Sequence, residues 1–268
     1  MKIVIRTDGS RDLGMGHVTR SVAVADALRG LGAEVVFRAG EKMAQKYIKR
    51  LGWSLAKSEE ANIIVDDDPP TKPADDAGPR QPIRLADLLT GPAMMPIRRE
   101  VVAHRERRRH GYQYGVLVTA GWSDSWGLLD EMRDRAKPSE ALFIPTTPES
   151  MLEAAERCSL AIVTMGVTAW ELACIGTPMI IVPPTARHDI DSRPLAEAGV
   201  ADVIHHTMLR FDLARRVREL LSDNTGCSAL SVARRARLTA MSHAGRALVD
   251  GLGARRVAEK IMEEAGRC

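Results

Sequence analysis

Cysteine is scarce in this sequence of 268 residues. The four present, Cys158, Cys174, Cys227 and Cys268, have neither Cys-x-x-Cys spacing nor a histidine partner at zinc-site intervals. No structural metal is expected, and spare thiols in a reducing compartment account for them. Neither sign of charge prevails: 38 Lys and Arg stand against 35 Asp and Glu, a net charge of +3. That balance gives no case for nucleic acid or a membrane surface as the main partner. Long apolar runs are also missing. The run after Lys2 is too short for a signal peptide and no segment approaches the length of a membrane span, so a cytoplasmic location is expected. What remains, 45% hydrophobic and 27% charged, is a globular chain long enough for one large domain or two small ones.

The stretch from Lys2 to Gly30 reads as strand, loop and helix. Ile3, Val4 and Ile5 form a short apolar run of the kind buried on both faces of a parallel sheet, and Val18, Val22, Ala25 and Leu28 recur at helical spacing. Between them, Gly14 and Gly16 let the backbone approach a ligand, with His17 at the start of the helix. In an open α/β sheet such a loop lies at the carboxyl end of its strand, where ligands bind. A dinucleotide fingerprint needs a further glycine where Val18, Thr19 and Arg20 stand, and a Walker loop needs a Gly-Lys-Ser/Thr that is absent. The local pattern alone leaves an ordinary glycine turn equally open.

Ala33 to Phe37 reads as a second strand and Glu41 to Leu51 as a helix with Met43, Tyr47, Ile48 and Leu51 on one side. Ile63-Ile64-Val65 is followed by Asp66, Asp67 and Asp68. One of these carboxylates can orient His17 or bind a substrate hydroxyl; equally, they can cap the following loop or gather a magnesium ion. Pro69 to Pro82 is loop-like. Arg105 to His110 is the most basic run; without aromatic neighbours it reads as the solvated end of a helix at a domain boundary, with a phosphate contact as the alternative.

A second α/β unit begins at Tyr114-Gly115-Val116-Leu117-Val118-Thr119, followed by Gly121-Trp122-Ser123-Asp124. Its strongest signal is Leu160 to Thr164, a glycine turn at Gly166, a helix through Glu171, and a strand from Met179 to Val182. Locally, Thr168-x-x-Glu171 has the form of a capping box. Phe211 to Leu221 and Ser228 to Met241 read as amphipathic helices. Asp250 suits the N-cap and Gly253 the first turn of a last helix packed through Val257 and Ile261.

Arg6-Thr7-Asp8-Gly9-Ser10, then Leu13-Gly14-Met15-Gly16-His17-Val18 and Arg20, resembles the opening of the UDP-2,4-diacetamido-2,4,6-trideoxy-β-L-altropyranose hydrolase family of pseudaminic acid biosynthesis. The segments Gly91 to Glu100, Pro194 to Val200 and Gly245 to Val257 also resemble that family. The resemblance implies the two-domain glycosyltransferase-B fold, shared with the nucleotide-sugar transferases of lipid-linked peptidoglycan precursors. It also implies a catalytic histidine, here His17. It implies further that Glu171 accepts hydrogen bonds from the ribose hydroxyls while the glycine turn presents amides to the diphosphate, which stands beside the capping-box reading. Departures are clear. The family's tyrosine after the strand-end aspartate is missing, Trp122 replaces a glycine, and Arg187-His188 replace an Asn-Gln pair that reaches the sugar and phosphates.

The expectation is therefore an α/β protein of two Rossmann-like domains, both trimmed. The first spans 1–110 and the second, nucleotide-binding, 111–249, and a C-terminal helix, 250–268, returns to the first. A UDP-linked aminodeoxy sugar is the expected substrate, bound between the domains and hydrolysed with His17 as general base. The substrate-binding residues are expected to be Arg6, Asp8, Gly14, Gly16, Arg20, Asp66, Gly121, Gly166, Thr168, Glu171, Arg187 and His188. No metal or organic cofactor, nucleic acid or membrane span is expected. A glycosyltransferase whose His17 activates an acceptor hydroxyl, or a non-catalytic UDP-sugar-binding protein, is the alternative.

Overall fold

Ile3, Val4 and Ile5 are completely buried in β1 (Lys2–Thr7), as an apolar run covered on both faces of a sheet must be. The computed structural model describes residues 1–11, 14–56, 61–67, 82–108, 113–136, 141–221 and 229–266. Leu13, Asp68, the proline-rich stretch up to residue 81, Arg109, His110, Cys227, Ser228 and Cys268 lie outside the described residues. After β1 come α1 (Gly16–Gly30), β2 (Glu34–Arg38), α2 (Lys42–Arg50), β3 (Ile63–Asp67), the two-residue β4 (Ile83–Arg84) and the short α3 (Leu85–Leu88). The four strands are parallel in the order β2-β1-β3-β4. From β1 the chain steps outward to β2, and from β3 it steps the other way to β4. The direction therefore reverses between β1 and β3, which is the switch point where ligands of such sheets bind.

Residues 100–250 form a second compact unit, while the first gathers 1–99 and 251–268. Following α4 (Arg99–Arg107), the chain runs through β5 (Val116–Thr119), α5 (Leu129–Ala136), β6 (Leu142–Phe143), α6 (Pro148–Arg157), β7 (Leu160–Thr164), α7 (Val167–Ile175), β8 (Met179–Val182), α8 (Ala186–Glu197), β9 (Ala201–Val203), α9 (Leu209–Leu221) and α10 (Ala229–Leu248). The parallel order β6-β5-β7-β8-β9 puts this switch point between β5 and β7. Every residue of β5, β7 and β8 is buried, and Ile162, Ile180 and Val182 pack with Leu213, Val217 and Leu220 of α9.

Two arginines of the basic run, Arg105 and Arg108, are not part of a solvated helix end, while Arg107 between them is 54% exposed and Arg109 and His110 lie outside the described residues. The Arg105 guanidinium donates to the carbonyls of Cys174 (2.8 Å), Val249 (3.0 Å) and Arg246 (3.0 Å). Arg108, 8% exposed, donates to those of Ala155 (2.6 Å), Glu156 (3.2 Å) and Cys158 (3.1 Å). Arg246 answers from α10 by donating to the Arg105 carbonyl at 2.8 Å. These acceptors sit at the carboxyl ends of α6, α7 and α10, where helical carbonyls have no partner within the helix and the dipole is negative. Charge density that reads as surface in the sequence therefore terminates three helices. Beside it, burial pushes the Cys158 thiol up to about 11 against the pull of the Arg108 charge, so it stays neutral.

Helix α10 continues past Met241 to Leu248, running straight through Gly245. A Cβ on Gly245 would stand 2.8 Å from the Ala173 carbonyl oxygen, so glycine here lets α10 lie directly on α7. The last helix, α11 (Gly253–Gly266), belongs to the first unit, where Val257, Ala258 and Ile261 join the core of Ile3, Ile5, Val18 and Val22. Its first residue is Gly253, so Asp250 stands three positions before the helix and is not its N-cap. A Cβ on Gly253 would fall 2.1 Å from the Met95 carbonyl oxygen, and Arg256 donates to the Ala93 carbonyl at 2.9 Å.

Candidate functional site

In the first unit the site grows from strand alternation and helix periodicity. Side chains at positions 63, 65 and 67 of β3 share one face, on which Ile63, Val65 and Asp67 are all buried, and register pairs Thr7 of β1 with Asp67. Helix α1 covers that face, and its residues at i, i+3 and i+4, His17, Arg20 and Ser21, descend on the same carboxylate. Arg20 Nε donates to Asp67 Oδ2 at 2.9 Å and its Nη2 to Oδ1, while the Ser21 hydroxyl donates to Oδ2 at 2.7 Å. The Asp67 side chain is 1% exposed. Burial alone would raise its pKa, but the hydrogen bonds from His17 and Arg20, with the Arg20 charge, outweigh it and hold the carboxyl below its ordinary value.

His17 Nδ1 lies 2.9 Å from the Asp67 carbonyl oxygen and 3.2 Å from Oδ1. A carbonyl can only accept, so Nδ1 carries the proton, and the neighbouring Arg20 Nη2 at 3.0 Å is in packing contact. The neutral ring then keeps its lone pair on Nε2, which bonds no group among the described residues. The His17 side chain is 30% exposed. A histidine with its tautomer fixed by a buried carboxylate can take a proton and be stabilised as imidazolium.

The other residues expected in this unit fall into different places. Gly14, at φ +73°, bridges back to Ser10, and Gly16 opens α1, whose first turn has neither a capping side chain nor an acidic residue. Asp8 accepts the backbone amides of Gly9 (3.0 Å), Gly40 (3.1 Å) and Glu41 (3.0 Å), which ties the loop after β1 to the start of α2. Arg6 and Asp66 are register neighbours on the face of the sheet opposite Thr7 and Asp67. The carboxylate that meets His17 is thus Asp67, its neighbour Asp66 pointing away. The signal was present in the sequence as the alternation Ile63, Val65, Asp67.

In the second unit the expected residues gather on the carboxyl edge of the sheet. After β5, Gly121 has φ +84°, its amide donates to the Thr119 hydroxyl at 3.1 Å, and a Cβ on it would lie 3.3 Å from Thr168 Oγ1. After β7, Gly166 is the N-cap of α7, and Gly166, Val167 and Thr168 are its accessible end. This excludes the capping box: Thr168 is the second helical residue, no side chain caps α7, and Glu171 lies beyond the first turn. Glu171 is 2% exposed. After β8, Thr185 caps α8 by accepting the His188 amide. Arg187, 80% exposed, pairs with Asp191 at 3.2 Å. Burial holds His188 below the ordinary histidine pKa, with the Arg187 charge acting the same way and Asp191 against it. The Thr185 cap and Trp126, whose ring meets His188, were not singled out from the sequence. Among the described residues no three His, Cys, Asp or Glu side chains cluster as a metal site, and no helix is long and apolar enough to cross a membrane.

No protein-family model matches the chain. A stretch of 67 residues is 36% identical to an uncharacterized protein of Methanocaldococcus jannaschii, covering 24% of this chain and only 14% of that protein's length. Among solved structures, MurG of Acinetobacter baumannii superposes with a TM-score of 0.60 at 15% identity, over 98% of this chain and 100% of that one. The glycosyltransferase SnogD of Streptomyces nogalater gives 0.59 at 15% identity, over 99% and 100%. The spinosyn rhamnosyltransferase SpnG, complexed with thymidine diphosphate, gives 0.52 at 13% identity, over 98% and 100%. At such identities the likeness is one of fold, and with two parallel-sheet units of Rossmann type the chain has the glycosyltransferase-B fold.

Proposed function

We propose that the protein binds a nucleoside-diphosphate sugar, specifically a UDP-linked amino sugar, and hydrolyses it to free sugar and UDP. The observation that carries this reading is the contact of His17 Nδ1 with the carbonyl oxygen and Oδ1 of Asp67, which favours the Nδ1–H tautomer and leaves the Nε2 lone pair for a proton. Water attacks the anomeric carbon, its proton passes to Nε2, and the bond from that carbon to the diphosphate oxygen breaks with its electron pair leaving on UDP. Asp67 and Arg20 position the imidazole. In the second unit the amides around Gly121 and Gly166 suit the diphosphate, Arg187 a phosphate oxygen, and Glu171 the ribose hydroxyls. The resemblance of the opening segment to the pseudaminic acid hydrolases favours water as nucleophile.

The likeness to the glycosyltransferase SnogD and the rhamnosyltransferase SpnG favours a second reading, in which Nε2 deprotonates an acceptor hydroxyl. One assay separates them: UDP release from a panel of UDP-linked amino sugars, with and without acceptors, by wild type and His17→Ala. Hydrolysis requires release without acceptor, and loss of about a hundred- to ten-thousand-fold in turnover in the variant with UDP binding intact. Release that needs an acceptor makes the protein a transferase; binding without any release makes it a sensor. Equal loss of binding and turnover removes His17 from the base role.

A further inference from the structure

Trp126 is left unused by this mechanism, yet the second unit is built to display it. Its side chain is 55% exposed in the loop that follows β5. That loop is pinned from within. Asp124 accepts the backbone amides of Leu128 (2.8 Å) and Leu129 (3.0 Å), the Gly127 amide donates to the Asp124 carbonyl (3.2 Å), and the Ser123 and Ser125 hydroxyls bond at 3.0 Å. From the start of α8, His188 meets the indole edge to face, with ring centroids 6.2 Å apart and planes at 76°.

His188 is itself oriented. Thr185 Oγ1 accepts the His188 amide and lies 2.7 Å from His188 Nδ1. The hydroxyl that accepts this amide still has a proton to give, and when it donates to Nδ1 the neutral ring carries its hydrogen on Nε2. Burial keeps the ring neutral near pH 7. In that tautomer two elements of one unit present a broad apolar face beside an uncharged N–H donor. Trp122, 42% exposed, lies four residues earlier in the same loop.

We propose that Trp126 and His188 form a corner that binds the sugar ring of the substrate: the indole stacks on the C–H face of a pyranose and His188 Nε2–H donates to an oxygen substituent on its rim. The proposal rests on the nucleoside-diphosphate-sugar reading given above. A pyranose suits the corner better than a nucleobase, because a base is told from other bases by several donors and acceptors along one edge, whereas the corner offers one donor and one apolar face. A neutral donor also suits a hydroxyl or acetamido oxygen, which carries no formal charge.

The test is calorimetric titration of wild type, Trp126→Ala and Trp126→Phe with UDP, dTDP, UDP-N-acetylglucosamine and dTDP-glucose. The expected result is a nucleotide-sugar affinity roughly three- to tenfold lower in Trp126→Ala, with nucleoside-diphosphate affinity unchanged and most of the loss restored in Trp126→Phe. Equal weakening of diphosphate and sugar nucleotide would assign Trp126 to the nucleotide and overturn the proposal. An unchanged sugar-nucleotide affinity in Trp126→Ala, or a wild type that binds sugar nucleotides no more tightly than the bare diphosphates, would overturn it while leaving the nucleotide reading standing. A wild type that binds none of the four overturns both.

Discussion

At the switch point of the first sheet a carboxylate lies buried under α1, with three side chains of that helix bonded to it; at the switch point of the second, Gly121 and Gly166 to Thr168 present backbone and small side chains. Under the function proposed above, the difference has a physical reason. Moving a proton requires one nitrogen in one tautomer, and a buried ion pair that is costly to disturb provides that. Holding an anion requires amides and room, which glycine turns and uncapped helix ends supply without committing charge. The units also differ in assembly: the second is built from one continuous stretch of chain, while the first is completed by α11 from the far end of the sequence.

Asp67→Asn strikes hardest at this contrast. It removes the charge that supports imidazolium while nearly preserving shape, and turnover should fall about a hundred- to ten-thousand-fold with UDP affinity unchanged. Were UDP affinity to fall as far as turnover, the division of labour between the two edges would be wrong. Gly253→Ala comes next, since its methyl group would collide with the Met95 carbonyl. Denaturant titration should show a loss of about 1–3 kcal/mol, and an unchanged midpoint would mean that the start of α11 shifts freely. Glu171→Gln should weaken UDP binding about tenfold and leave turnover at saturation alone. Unaltered binding would make Glu171 a purely internal residue of α7.

The smallest effect is a pH dependence. The Asp67 pKa is lowered in the folded protein. Its stabilising contribution is therefore complete above the unfolded carboxylate value of about 3.9 and is lost as pH falls through the lower folded value. Thermal unfolding followed from pH 7 down to pH 2 should give a steeper acid decline for wild type than for Asp67→Asn. Parallel curves would mean that Asp67 is not held ionised by its partners.

Much of the α/β pattern was legible because buried parallel strands announce themselves. Ile3 to Ile5, Leu160 to Val163 and Met179 to Val182 are apolar without interruption, and all three lie in strands. The elements α5, β6 and α6 leave little periodicity in the sequence, because β6 is two residues long and α5 places Asp130, Glu131, Arg133, Asp134 and Arg135 among few apolar positions. Helix α6 did carry a signal that went unused: Thr147 caps it in a capping box with Ser150, and Pro148 is its first residue.

Sequence by itself determined the two parallel α/β units, the position of His17 at the first turn of α1 and the glycine turn before α7, because periodicity and turn chemistry are local properties of the chain. Tertiary structure decided which aspartate meets the histidine, since that depends on which face of β3 lies under α1. It also decided that Arg105 and Arg108 end helices instead of facing solvent, and that Trp126 stands against His188. Each of these joins residues from 46 to 144 positions apart. Contacts at such separations are set by the order of strands in a sheet and the packing of helices upon it, which no local pattern of residues records.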